Sequence, residues 1–198
     1  MPLFVGIAGP SGAGKSTLAR LLMDRLPQDA SLFSLDWYYN DESRRSVEER
    51  AAINFDHPEA LDWARFFDDF MLLESGARAE APVYDFSKHL RLPETQPIEP
   101  RAVVIVEGLH VLWQPALRAM LNFKVYIKTS QSVCLKRRID RDTTDRGRSA
   151  GEVIRQYKAH TNPMFLEFIE PSMAYADLVI EGETDFQAEA ERLSRQLM

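Results

Sequence analysis

Short uninterrupted apolar runs alternate with amphipathic stretches along this chain. Residues 3–8 are apolar up to Gly9, which predicts a strand covered on both faces. From Ser16 onward, Leu18, Leu21, Leu22 and Leu26 keep helical spacing until Pro27 stops it. Residues 32–35 read as a second strand ending at Asp36, 103–106 as a third ending at Glu107-Gly108, and 123–127 as a further one. Residues 130–140 and 152–169 read as helices, and Pro163 is expected to start a new helix or kink the old one. A short strand over 178–180 and a closing helix over 185–197 complete the pattern.

Strands alternating with helices predict an α/β fold, a parallel sheet with helices on both faces. Residues 37–101 break that alternation. They hold one helical stretch, 58–74, followed by Pro82, Pro93, Pro97 and Pro100. The expectation is one domain over 1–198, with 37–101 as a substrate-binding insertion over the sheet's carboxyl edge and a hairpin around 83–92.

The turn after the first strand carries the strongest chemical signal. Gly9-Pro10-Ser11-Gly12-Ala13-Gly14-Lys15-Ser16 satisfies the phosphate-loop pattern G-x-x-x-x-G-K-[ST], with a buried strand before it and a helix after it. Glycines let backbone N–H groups turn toward phosphate oxygens, and the helix that begins here adds its positive end. The nucleotide site is therefore expected over Gly9, Ser11, Gly12, Ala13, Gly14, Lys15, Ser16 and Thr17. Lys15 would meet the β- and γ-phosphates, and Ser16 would ligate Mg²⁺. This fold would be of the P-loop NTPase type.

Ligands of open α/β sheets bind beyond the carboxyl ends of the strands, where Asp36 and Glu107 fall. Glu107 reads as the acid that organises Mg²⁺, or as a loop acid or cap. Asp36 reads as a general base for an attacking hydroxyl, or as a surface turn acid. Asp56 reads as a sugar ligand or as the N-cap of the helix near Pro58. Lys136, Arg137, Arg138, Arg141, Arg146 and Arg148 crowd residues 136–150. They suggest a lid that closes on transferred phosphate, or else a solvated face paired with local aspartates. Arg137, Arg138 and Arg141 are expected not to share one helix face, leaving some in solvent.

Composition narrows the classes. The chain has 198 residues, 45% apolar and 27% charged, as an ordinary globular protein has. Its net charge of −6 argues against bulk nucleic-acid binding, leaving a local basic site as the place for any polyanion. The single Cys134 forms no internal disulfide, and the four histidines lack metal-ligand spacing with it. The amino terminus has no signal-peptide pattern and no window spans a membrane, so a small-molecule enzyme of the cytoplasm is expected.

Further segments sharpen this reading. Leu35-Asp36-Trp37-Tyr38-Tyr39, Asn54-Phe55-Asp56-His57-Pro58, Pro82-Val83-Tyr84-Asp85-Phe86 with His89 and Arg91, Val106-Glu107-Gly108, the arginines through Arg148, and Gln156-Tyr157 follow the phosphate loop in order. Together they resemble the uridine kinase (uridine–cytidine kinase) family, related to phosphoribulokinase and pantothenate kinase. The resemblance implies phosphoryl transfer from ATP or GTP to the 5′-hydroxyl of uridine or cytidine, with Mg²⁺. It implies Asp36 as base, Tyr39 among the acceptor contacts, Asp56 on the ribose hydroxyls, and Tyr84 and His89 at the pyrimidine. It also implies Arg138, Arg148 and Gln156 on the nucleoside, Arg141 and Arg146 on phosphates, Asp185 at the nucleotide base, and a homo-oligomer, a tetramer by resemblance. A P-loop kinase of another small alcohol, such as pantothenate or a sugar phosphate, and a non-catalytic nucleotide-binding regulator are the alternatives.

Overall fold

The computed structural model describes residues 1–198, Ala51 by its backbone alone. β1 (Leu3–Ala8) leads through the glycine-rich turn into α1 (Lys15–Arg25), and β2 (Ala30–Ser34) follows. The chain then leaves the sheet through a 3₁₀ turn, Leu35–Tyr38, then α2 (Val47–Ala51), a second 3₁₀ turn, Pro58–Ala60, and α3 (Trp63–Glu74). β3 (Ala79–Asp85) and β4 (Leu90–Ile98) form an antiparallel hairpin. The chain returns with β5 (Val103–Glu107), α4 (Pro115–Met120), β6 (Phe123–Lys128), α5 (Gln131–Asp145) and α6 (Ala150–Gln156). Two π-helical turns, Tyr157–Thr161 and Phe165–Ile169, alternate with the short α7 (Asn162–Met164) and α8 (Glu170–Ser172), before β7 (Leu178–Glu181) and α9 (Phe186–Leu197).

The central sheet has the order β2-β5-β1-β6-β7, and every pairing is parallel. Successive strand residues point to opposite faces, so Phe4 and Val104 feed one core while Val5 and Ile105 feed the other. Both faces are dry, which explains why β5 shows no polar alternation: all five of its residues are buried. The larger core is aromatic. Phe33 stacks on Phe66 at 4.6 Å and Phe4 on Phe70 at 4.2 Å, and these two contacts fasten α3 to the sheet. Burying each such ring contributes about 1.5–3 kcal/mol. The second core holds α1 and α9 against the opposite face through Leu18, Leu22, Ala190 and Leu193. β1 lies between its partners β5 and β6, so the phosphate loop opens at the crevice where the winding reverses.

The structure departs from the sequence reading in several places. The helix expected over 58–74 is split: Pro58–Ala60 is one turn, and α3 starts after Asp62, whose carboxylate accepts from Arg65 N–H at 3.1 Å. Asp56 is not the cap of that first turn; His57 is, its Nδ1 accepting from Glu59 N–H at 3.1 Å. The hairpin is longer than 83–92 because its two strands form a sheet of their own. Each has an outer edge without ladder partners, so Pro93 and Pro97 cost no hydrogen bond in β4. α5 extends to Asp145. Pro163 opens α7 inside a helical run that continues through π turns, whose wider i→i+5 ladder leaves room for the proline ring.

Candidate active site

Backbone geometry at the phosphate loop demands glycine at two positions. Gly12 has φ +84°, and a Cβ there would lie 2.6 Å from the Cys134 carbonyl oxygen. Gly14 has φ +107°, and a Cβ there would lie 2.4 Å from the Phe186 ring. Gly14 caps α1 with no side-chain acceptor, so the first N–H groups of the helix stay available to an anion. Lys15 donates from Nζ to the Pro10 carbonyl at 3.0 Å and is buried. Burial lowers its pKa, against the opposing pull of Glu107 and Asp36.

Glu107 sits beneath the loop. Its Oε2 accepts from Ser16 Oγ at 3.3 Å and its Oε1 from Ser34 Oγ at 2.6 Å. Ser34 Oγ also accepts from the Asp36 N–H at 3.3 Å, so one buried hydroxyl joins the end of β5 to the turn that carries Asp36. The Glu107 carboxyl is pushed up by burial and then by the neighbouring Asp36 charge.

A cavity of about 520 Å³ opens above this floor. Ser11, Gly12, Gly14, Lys15, Ser16 and Thr17 line one end, and Tyr39, Phe55, Asp56, Tyr84, Phe86 and His89 the other. Asp36 lies on its wall, as do Arg137, Arg138, Arg141, Arg146, Arg148 and Gln156. A volume of this order holds a small organic ligand. The aromatic end is built from edge and face contacts: Phe55 stacks on His89 at 4.6 Å and 10°, and Tyr39 and Tyr84 lie 5.1 Å apart. His89 adopts φ +52°, the one non-glycine residue with positive φ among those described. Arg50 holds that turn by donating from Nε to the Lys88 carbonyl at 3.2 Å. Burial, followed by Arg148, Arg146 and Arg50, lowers the His89 pKa and keeps its ring neutral at pH 7. The Tyr84 hydroxyl is buried without a partner.

Asp56 is buried, with one donor on each carboxylate oxygen and one on its carbonyl. Oδ1 accepts from Arg138 at 3.3 Å, Oδ2 from Thr161 Oγ1 at 2.7 Å, and its carbonyl from His110 Nε2 at 3.0 Å. Because the carbonyl only accepts, Nε2 of His110 carries the proton, and Nδ1 is left buried and unpaired. Burial depresses the His110 pKa from 6.5 to about 4. Between those values the unfolded chain binds a proton that the native one refuses. This contribution to stability is present above pH 6.5 and is lost as pH falls toward 4, by about 3 kcal/mol in all. Denaturant unfolding of wild type and His110→Gln across this window should show a steeper acid loss in wild type. Parallel curves would reject the buried neutral imidazole as its cause.

One expectation is corrected here. Arg137, Arg138 and Arg141 do share a face, because at about 100° per residue Arg141 falls about 40° and Arg138 about 100° from Arg137; all three reach the cavity wall. Lys136 and Asp140 take the solvent side instead. The Asp185 carboxylate caps α9 by accepting from Gln187 N–H at 2.9 Å, and the adjoining Phe186 lines the cavity. Sequence reasoning also missed Ser34, Thr161 and Asp142. The last is fully buried and pairs with Arg138, Arg141, Arg146 and Arg148.

The model of the Phosphoribulokinase / Uridine kinase family matches residues 4–187. The chain belongs to this family. Among its relatives, a uridine kinase of Alkaliphilus metalliredigens is 42% identical over 187 residues, covering 94% of this chain and 90% of the relative. A uridine kinase of Klebsiella pneumoniae is 42% identical over 183 residues, covering 90% and 86%. Solved structures share the fold at lower identity. Phosphoribulokinase from Rhodobacter spheroides superposes with a TM-score of 0.63 at 14% identity, covering 93% of this chain and 74% of that one. D-glycerate 3-kinase from Cryptococcus neoformans does so with a TM-score of 0.65 at 19% identity, covering 87% and 80%. Membership of this P-loop kinase family implies nucleotide binding. No described helix is long and apolar enough to cross a membrane.

Proposed function

We propose that this chain is a nucleoside kinase that transfers the γ-phosphoryl group of ATP or GTP to the 5′-hydroxyl of uridine or cytidine. The observation that carries this reading is one cavity with a phosphate loop at one end, a buried carboxylate among aromatic rings and a neutral imidazole at the other, and Asp36 on the wall. The family relatives named uridine kinase support it.

In this reading the triphosphate lies along the α1 N-terminus, with Lys15 on the β- and γ-phosphates. Carboxylate and hydroxyl oxygens are what Mg²⁺ takes, and it is held by one or two carboxylates together with substrate phosphates. Ser16 and Glu107 fit that role, since the upward push on the buried Glu107 carboxyl is relieved by a nearby cation. When bound, Mg²⁺ would neutralise charge on the β- and γ-phosphates. Asp56, oriented by Arg138 and Thr161, accepts from the ribose hydroxyls. Asp36 orients the 5′-hydroxyl and takes its proton as the phosphoryl group transfers. Arg141 and Arg146 meet the charge that spreads over the transferring group, and the segment 136–150 closes over it.

Tyr84 and His89 would read the pyrimidine. A neutral imidazole offers one donor and one acceptor, so either tautomer serves the 4-keto oxygen of uracil or the 4-amino group of cytosine. Loss of one such buried hydrogen bond costs about 1–2 kcal/mol, roughly tenfold in kcat/KM. His89→Ala is expected to lower kcat/KM for uridine and cytidine by that factor, while nucleoside-dependent ADP release over a panel of acceptors stays confined to pyrimidine nucleosides. Unchanged kcat/KM for both nucleosides would remove His89 from the base, and ADP release driven instead by pantothenate or a sugar phosphate would overturn the assignment.

A further inference from the structure

We propose that Asp142 is a built-in stand-in for phosphate, holding the arginines of the cavity assembled until the polyanion arrives. This rests on reading the cavity as a phosphoryl-transfer site. Asp142 is fully buried, in the last turns of α5, and its two oxygens divide four guanidinium groups. Oδ1 accepts from Arg141 Nε at 2.8 Å and pairs with Arg146 at 3.4 Å. Oδ2 pairs with Arg148 at 3.4 Å and with Arg138 at 3.7 Å. Its carbonyl accepts the Arg148 N–H at 3.1 Å, which ties the loop after α5 to the same residue.

The two pairs differ in what else holds them. Arg138 and Arg148 both donate to Gln156 Oε1, at 3.1 and 2.6 Å, and Arg138 also meets Asp56. Arg141 and Arg146 have Asp142 as their only carboxylate among the described residues; Arg146 otherwise rests on the Phe86 ring at 4.8 Å. Four cations around a single carboxylate leave an excess of positive charge pointing into the cavity, and like charges this close repel one another. Asp142 is the one carboxylate that all four share among the described residues, joining the pair held by Gln156 to the pair with no other carboxylate. A phosphate oxygen reaching Arg141 and Arg146 competes with Oδ1 for the same donors, since a guanidinium fork fits carboxylate and phosphate alike. Asp142 is thus a positioning residue. It lowers the cost of keeping the arginines together and yields two of them to the substrate.

The test is thermal unfolding of wild type and Asp142→Asn, without ligand, in sodium pyrophosphate and in sodium chloride of matched ionic strength. In chloride the variant is expected to melt lower than wild type, because four guanidinium groups lose their anion. In pyrophosphate its melting temperature is expected to rise by about 3 °C more than that of wild type, since the incoming anion no longer competes with a carboxylate. An ordinary structural aspartate would give a low melting temperature with equal increments, and equal increments overturn the proposal. If Asp142→Asn does not accumulate folded, the triple variant Asp142→Asn, Arg141→Gln, Arg146→Gln decides: recovery of folded protein supports the proposal, and failure to recover it overturns it. Indifference of both proteins to pyrophosphate would sink the phosphate-site reading and this proposal together, whereas equal rises in the two sink only the role of Asp142.

Discussion

Lys15→Ala is expected to reduce uridine-dependent ADP release by about 10³-fold or more while the melting temperature stays close to that of wild type. Removing one neutral donor from a developing anion typically costs about 10²–10³ in kcat, and Lys15 brings a full charge in a buried, water-poor setting. The structural loss is small by comparison. The ammonium makes one hydrogen bond, to the Pro10 carbonyl, and its burial is itself unfavourable, as the lowered pKa shows. The backbone of the loop is fixed independently by the positive φ of Gly12 and Gly14 and by Arg137, which donates to the carbonyls of Gly12 and Ala13 at 3.4 and 3.3 Å. Steady-state turnover alongside a thermal melt separates the two effects. Turnover near the wild-type level would reject the phosphate-loop assignment, and a collapse of the melt would make Lys15 a structural residue.

Asp36→Asn is expected to lower kcat by about 10²–10⁴-fold, the usual worth of a positioned base, with a far smaller change in the KM for nucleoside. The substitution keeps shape and hydrogen-bonding reach. The local turn survives because the backbone N–H of residue 36, not its side chain, meets Ser34 Oγ. What disappears is proton acceptance and one negative charge beside Lys15 and Glu107. Part of the loss therefore arises from a disturbed metal and phosphate field. A kcat within about threefold of wild type falls below the range for a base and would return the role to another group.

The fold and the phosphate end of the site were legible because their signals are local. An apolar run buried on both faces, a glycine spacing and the helix after it lie within 26 residues of the chain start, and the structure joins them as read. The acceptor end was legible only through its resemblance to a family, since nothing within a few residues of Asp56 or His89 says what they face. Thr161 reaches Asp56 across 105 positions and Arg138 across 82, and such partners leave no trace in periodicity. Asp142 was hidden differently. An aspartate among arginines on a helix reads as surface pairing, and only the fold shows that it is buried and central. The arginine face was misjudged by arithmetic that the sequence itself permits.

The hairpin of β3 and β4 shares no ladder hydrogen bond with the five-stranded sheet. A side chain helps to attach it instead: Arg91 donates to the Asp62 carboxylate at 3.0 Å and to the Tyr39 carbonyl at 2.8 Å. The floor of the cavity at Lys15, Ser34, Asp36 and Glu107 belongs wholly to the other sheet and its loops. The boundary between the two sheets is therefore a mechanical seam. Substitutions at Tyr84 or in the turn at His89 reshape one end of the cavity while every ladder hydrogen bond of the five-stranded sheet stays in place.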